Sequence, residues 1–120
     1  MEEWTLTWSR LSLITQAAPL LTPNLAGVYR LSYRSSDGNI YVFYVGQAND
    51  LRARINQHLS SNETNLCIRK MLTSYTCYVR YARIDRPSVR DGAELFLYHY
   101  FSPSCNLTEP TGPKISINIE

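Results

Sequence analysis

"GVYRLSYRSSDGNIYVFYVG", residues 27–46, decides the fold. Its flanks are rich in valine, tyrosine, isoleucine and phenylalanine, side chains that suit a pleated, half-buried surface. Between them "SSDG" (35–38) supplies turn chemistry, with Gly38 free to take positive φ. The stretch is therefore a β-hairpin. Strand side chains alternate, so Gly27, Tyr29, Leu31 and Tyr33 share one face, and Tyr44 and Gly46 share a face of the partner strand. Both glycine–tyrosine pairs are same-face pairs.

Downstream of the hairpin, "QANDLRARINQH" (47–58) turns into a helix that Asn49 or Asp50 can cap. Leu51, Ile55 and Leu59 recur every fourth residue as its core stripe, with Arg54 and His58 as neighbours on one flank. "NLCIRKMLTSY" reads as a second short helix. "CYVRYARID" reads as a third strand, with Tyr78, Arg80 and Ala82 opposite Cys77, Val79 and Tyr81. "PSVRDGAELFLYHYF" is the longest helix, with Pro87 and Ser88 as start signals and Asp91 as a capping-box-like partner of Ser88. "SPSCNLTEPTGP" is a loop.

At the chain ends, "WTLTWSRLSL" alternates Trp4, Leu6 and Trp8 against Thr5, Thr7 and Ser9, the pattern of a half-buried strand. Pro19 and Pro23 break "APLLTPNLAG" into a short irregular piece, and "KISINIE" alternates like a last strand able to pair with the first. The predicted class is α/β of the α+β kind: a small central antiparallel three-stranded sheet flanked by helices, with extra terminal strands. One domain spans residues 1–120, since 120 residues with 44% hydrophobic content support one core.

No run approaches the ~20 apolar residues of a membrane span, and "MEEWTLTWSR" lacks the plan of a secretory signal. An intracellular, non-membrane protein is the expectation, cytoplasmic if the source is prokaryotic or viral. Cys67, Cys77 and Cys105 are odd in number and fit no CxxC or Cys/His spacing. The expectation is three reduced structural cysteines, with no disulfide framework and no zinc site. Nor does Cys105 carry a local signature of cysteine-based catalysis.

The net charge of +2 identifies no partner, but its distribution does more. Residues 27–90 hold ten basic against four acidic side chains (Asp37, Asp50, Glu63, Asp85), or +6, which leaves −4 elsewhere. Ten of the twelve basic residues are arginine, whose planar fork suits two-point contacts with phosphate.

Gly27-Val28-Tyr29, Tyr44-Val45-Gly46, Arg54 eight positions after Gly46, His58 one turn on, Glu94 in the long helix and Asn106 in "PSCN" occur in this order. As a set, across residues 27–106, they resemble the GIY-YIG nuclease family. The resemblance implies three antiparallel strands flanked by helices, DNA as partner, and phosphodiester hydrolysis with one divalent ion, Mg2+ or Mn2+. It implies Glu94 as metal ligand, Arg54 as transition-state charge, Tyr29 and Tyr44 as the paired tyrosines, His58 as their helper, and Asn106 as the tie between the last loop and the site. Gln47 stands where several such relatives have a lysine, which shifts weight for proton handling onto His58.

These residue types suit that chemistry on physical grounds. The reaction needs an aligned water, a proton acceptor, positive charge on the phosphorane-like state and stabilisation of the leaving oxygen. Mg2+ takes oxygen ligands and keeps several waters, so one carboxylate with substrate phosphate suffices. A tyrosine with an unperturbed pKa near ~10 must be pushed down to act as a base at neutral pH. Which tyrosine does so is open; Tyr29 is preferred, with Tyr44 bonding water or phosphate. Arg52, Gln47, Arg69 and Lys70 are candidate nucleic-acid contacts, and His99 lacks matched context. The alternative is a DNA-binding module that kept the fold without cutting. A homodimer or an accessory subunit is the expected source of target specificity.

Overall fold

The computed structural model describes residues 1–120. In chain order it contains β1 (Glu2–Trp4), β2 (Ser12–Leu13), α1 (Ile14–Ala17) continuing into a 3₁₀ turn (Ala18–Leu20), β3 (Gly27–Arg34), β4 (Ile40–Ala48), α2 (Leu51–Leu59), α3 (Leu66–Ser74), β5 (Cys77–Arg83), α4 (Pro87–Phe101) and β6 (Ile115–Ile117). The main sheet is antiparallel in the order β2-β5-β3-β4, and β1 pairs with β6 in parallel. Three strands form the centre as expected. The two-residue β2 extends them on the β5 side.

β3 is hydrogen-bonded on both sides, so its two faces feed two separate cores. Tyr29, Leu31, Phe43 and Val79 pack under α1, α2 and α3 through Ile14, Leu51, Ile55 and Ile68. Val28, Val45 and Ala82 pack under α4 and the terminal strands through Val89, Ala93, Leu97, Ile115 and Ile117. The N-terminal alternation holds, with Leu6 and Trp8 buried and Thr5 and Thr7 exposed. The continuous strand expected there does not form. Only Glu2–Trp4 and Ser12–Leu13 ladder, Trp8 makes a lone bridge to Ala82, and the backbone of Leu6 is satisfied by the Asn118 side-chain amide instead.

Two helix expectations need correction. The core face of α2 is Leu51, Ile55 and His58, whereas Leu59 is 37% exposed. At about 100° per residue, position i+7 lies about 20° from Leu51 and i+8 about 80° away, so the histidine rather than the leucine faces inward. At α4 the Pro87 start holds, but the N-cap is Arg86 and no side chain caps it. Asp91 is drawn off to the Gln47 amide, 2.6 Å away. Of the two capping candidates for α2, Asp50 accepts the Ala53 N–H at 3.1 Å.

The cysteine expectation is overturned in part. Cys67 on α3 and Cys105 in the loop after α4 form a disulfide, and Cys77 alone is free and buried. The two are 38 residues apart, so only the return of the last loop across α3 brings them together. A bulge in the β3–β4 ladder prepares that return. Phe43 is left out of the register, and its carbonyl accepts the Cys105 N–H at 2.8 Å. Closing a loop of this length contributes about 2–4 kcal/mol through the unfolded chain. Denaturant titration of the Cys67→Ala/Cys105→Ala double variant should show a loss of that size, and an unchanged midpoint would mean the cross-link contributes nothing.

Candidate active site

The last loop forms one wall of an open cleft of about 360 Å³, lined by Tyr44, Arg54, His58, Glu63, Glu94 and Asn106 among others. Asn106 is what ties this wall to the sheet. β4 is an edge strand, and the Asn106 side chain satisfies both outward groups of Val45, accepting its N–H at 3.0 Å and donating to its carbonyl at 2.9 Å. The amide thus covers the strand edge as another strand would. The expected loop-tying role of Asn106 has this geometry behind it.

Tyr29 stands behind the cleft, fully buried, with Gly46 directly opposite in the ladder. A Cβ on Gly46 would lie 2.6 Å from the Tyr29 hydroxyl, and one on Gly27 would lie 2.2 Å from the Ala82 carbonyl oxygen. Each glycine of the two glycine–tyrosine pairs therefore admits a close approach that a side chain would block. Gly46→Ala should displace the phenol from its partners. Since misplacement of a reacting group by about 1 Å costs on the order of 10²-fold in rate, a loss of that size is expected in any reaction the phenol serves, with overpacking costing about 1–3 kcal/mol in unfolding.

The Tyr29 hydroxyl lies 2.7 Å from His58 Nε2 and accepts from Arg54 Nε at 3.3 Å. On the far side of the imidazole, Nδ1 lies 2.7 Å from Glu63 Oε1. Tyr44 lines the cleft itself, its ring edge-on to His58 at 5.4 Å between centroids. Tyr44 is thus open to the cleft directly, whereas Tyr29 does not line it. Burial, reinforced by Tyr44, pushes the Tyr29 phenol well above its ordinary pKa, and the hydrogen bond and charge of Arg54 offset only part of this. The downward push expected of the tyrosine's neighbours is therefore outweighed by burial at rest. Burial also holds His58 below the ordinary histidine value, against the pull of Glu63, which favours the neutral imidazole.

Glu94 projects from α4 into the cleft, half-buried. Burial raises its pKa, and Asp91 adds to this, while the Gln47 bond and Arg54 oppose it. Gln47 Nε2 donates to Asp91 Oδ1 at 2.6 Å and to Glu94 Oε1 at 3.1 Å, so this amide spaces two carboxylates one helical turn apart. No group of three or more His, Cys, Asp or Glu side chains converges to cage a metal. Glu94, with one oxygen unbonded and facing the cleft, suits a hard divalent ion that takes its remaining ligands from water and phosphate.

Arg52, Arg69 and Lys70 do not line this cleft. Arg69 and Lys70 are exposed on α3, and Arg69 borders a smaller hollow beside the end of α2. Two arginines of the basic stretch are not available to substrate at all. Arg90 is buried and donates to the carbonyls of Ile84 and Asp85 and to Asn49 Oδ1. Arg30 is buried between the Trp8 and Phe101 rings, pulled down to about 10 by burial and by Arg80. His99 is exposed and pairs with Glu109 at 3.3 Å.

Sequence reasoning passed over Glu63. The signal was there, since Glu63 is the sole acidic residue between Asp50 and Asp85, within an otherwise basic stretch. A turn in which the Glu63 N–H bonds the Ser60 carbonyl at 3.3 Å folds it back beneath the end of α2.

With a hairpin that juxtaposes two tyrosines, a helix that carries arginine and histidine to them, and a carboxylate opposite, the fold and cleft have the form of a small phosphodiester-processing domain. A family model, the GIY-YIG catalytic domain, matches residues 25–101. The chain belongs to the GIY-YIG family, whose domain is a nuclease domain acting on DNA. The matched span runs from just before β3 to the end of α4, and so contains every candidate catalytic residue except Asn106.

No helix of the chain is long and apolar enough to cross a membrane.

Proposed function

We propose that this chain is a divalent-metal-dependent endonuclease that hydrolyses DNA phosphodiester bonds by water attack. The observation that carries the reading is the phenol of Tyr29, held between an imidazole nitrogen and a guanidinium beside a cleft that Glu94 faces. Glu94 would hold Mg2+ or Mn2+, and such an ion, when bound, supplies positive charge to the phosphate and the leaving oxygen.

Arg54 has donors left over after its bonds to Tyr29 and Gln57. Its guanidinium turns to the phosphate, neutralises the developing charge and uncovers the Tyr29 oxygen. Tyr29 accepts the proton of the attacking water as its own proton passes to His58 Nε2. A phenol whose pKa is raised at rest acts as a base only if its own proton leaves in the same step. Tyr44 orients the water or a phosphate oxygen from the cleft wall. Arg52, Arg69 and Lys70 give sequence-independent backbone contacts, and target choice comes from a second copy or an accessory subunit.

The test is incubation of the purified protein with supercoiled plasmid, branched DNA and single-stranded DNA, with and without Mg2+ or Mn2+. Metal-dependent nicking of at least one substrate is expected. Salt-sensitive binding with no cleavage of any of them, by protein shown to be folded, would establish the non-cutting module instead.

A further inference from the structure

The geometry points to Glu63 as a positioning residue that selects the tautomer of His58, so that the imidazole meets Tyr29 as a proton acceptor. The structural part of this inference stands on its own, and its kinetic part rests on the nuclease reading above.

A carboxylate offers only lone pairs, so the 2.7 Å contact between Glu63 Oε1 and His58 Nδ1 requires the hydrogen to sit on Nδ1. A neutral imidazole has one N–H. Nε2 is therefore bare, and at 2.7 Å from the Tyr29 oxygen it must accept the phenolic O–H. With the opposite tautomer, Nε2–H and Arg54 Nε–H would both donate to the Tyr29 oxygen. The phenol would then have no acceptor for its proton on this side and could not take one from water.

Glu63 has no evident reason to be buried other than this contact. Its residue is 5% exposed, and enclosing a carboxylate is costly unless it is bonded. The titratable and charged groups that face His58 are Tyr29 from β3, Tyr44 from β4, Arg54 from its own helix and Glu63 from the following turn. Among them only Glu63 can compensate the imidazolium formed when Nε2 takes the Tyr29 proton. His58 itself stands in the last turn of α2, where the negative end of the helix dipole also favours the imidazolium. Atoms balance without a further reactant: the water O–H breaks as its oxygen bonds phosphorus and Tyr29 takes its proton, the Tyr29 O–H breaks as His58 Nε2 takes that one, the bond from phosphorus to the leaving oxygen breaks and that oxygen takes a proton from solvent, and the proton on Nδ1 stays. The same division of labour between a buried carboxylate and a histidine operates in serine hydrolases, with a tyrosine here in place of the serine.

Histidine ring 15N NMR on the whole protein, without DNA or metal at neutral pH, tests the structural part. His58 is told from His99 by a His99→Gln control. Wild type should show His58 protonated at Nδ1 with a bare Nε2, and a protonated Nε2 in the neutral ring would overturn the inference whether or not the protein cuts DNA. Glu63→Gln, which can either accept or donate, should move the ring to a tautomer mixture and lower kcat by about 10²-fold with little change in KM, and Glu63→Asp should recover part of it. A Glu63→Gln variant with wild-type kcat would overturn the kinetic part. If no DNA is cut by wild type, the nuclease reading falls while the NMR result still decides the role of Glu63. Should Glu63→Gln fail to fold, the wild-type spectrum and Glu63→Asp decide it.

Discussion

Glu94→Gln should abolish metal-dependent DNA cleavage, by at least ~10³-fold in kcat, while leaving DNA binding nearly intact. The substitution keeps the shape of the side chain and its distance from Gln47, and removes only the charge that suits a divalent ion. The same substitution should not destabilise the protein. Burial raises the pKa of Glu94, which means that its ionised form is disfavoured in the folded state relative to the unfolded one. For a carboxyl raised above its unfolded value, that penalty grows as pH rises from near the ordinary 4.5 through the folded pKa. Without added metal, wild type should therefore lose stability relative to Glu94→Gln across that rise, as an unfolding series at several pH values would show. A catalytic carboxylate kept at a cost to stability is the usual trade between activity and fold. Undiminished cleavage by Glu94→Gln would remove Glu94 from the mechanism.

Tyr29→Phe should be the next most damaging change, lowering kcat by roughly 10²- to 10⁴-fold, the range for loss of a positioned acid–base group. Tyr44→Phe should act more on KM, because Tyr44 faces the cleft and Tyr29 stands behind it. The reverse ranking would exchange the roles of the two tyrosines. Loss of the Tyr29 hydroxyl also strands a buried imidazole nitrogen, at about 1–3 kcal/mol in stability. pH gives a second check. His58 is held below its ordinary 6.5, so its neutral form persists down through that value and is lost only at lower pH. Once the imidazole takes a proton from solvent, Tyr29 has no acceptor. Its contribution to activity should therefore vanish on the acid side, and the unfolding free energy should fall over the same interval, since the unfolded chain binds that proton more readily.

Much of the site follows from short periods. A two-residue repeat puts Gly27 with Tyr29 and Tyr44 with Gly46 on shared strand faces, and a four-residue spacing puts Arg54 and His58 on one side of α2. The same periods mislead where they are read too coarsely, as with Leu59, which the 3.6-residue turn carries outward while His58 turns in. Charge counting misleads for another reason. Arg30 and Arg90 look like phosphate contacts in the chain but are spent on the core, because burial depends on what packs above them.

By itself the sequence determined the hairpin, the order of helices and strands, and which side chains share a face within each element. Each of these depends on residues within a few positions of one another, where backbone geometry dictates which side chains share a face. Only the tertiary structure decided the Cys67–Cys105 cross-link, the Asn106 clamp on Val45, the diversion of Asp91 to Gln47 and the seating of Glu63 behind His58. These contacts are made by loops and edges, where no repeat governs direction. Their partners are chosen by which backbone groups the sheet leaves unpaired and by how the chain returns across it.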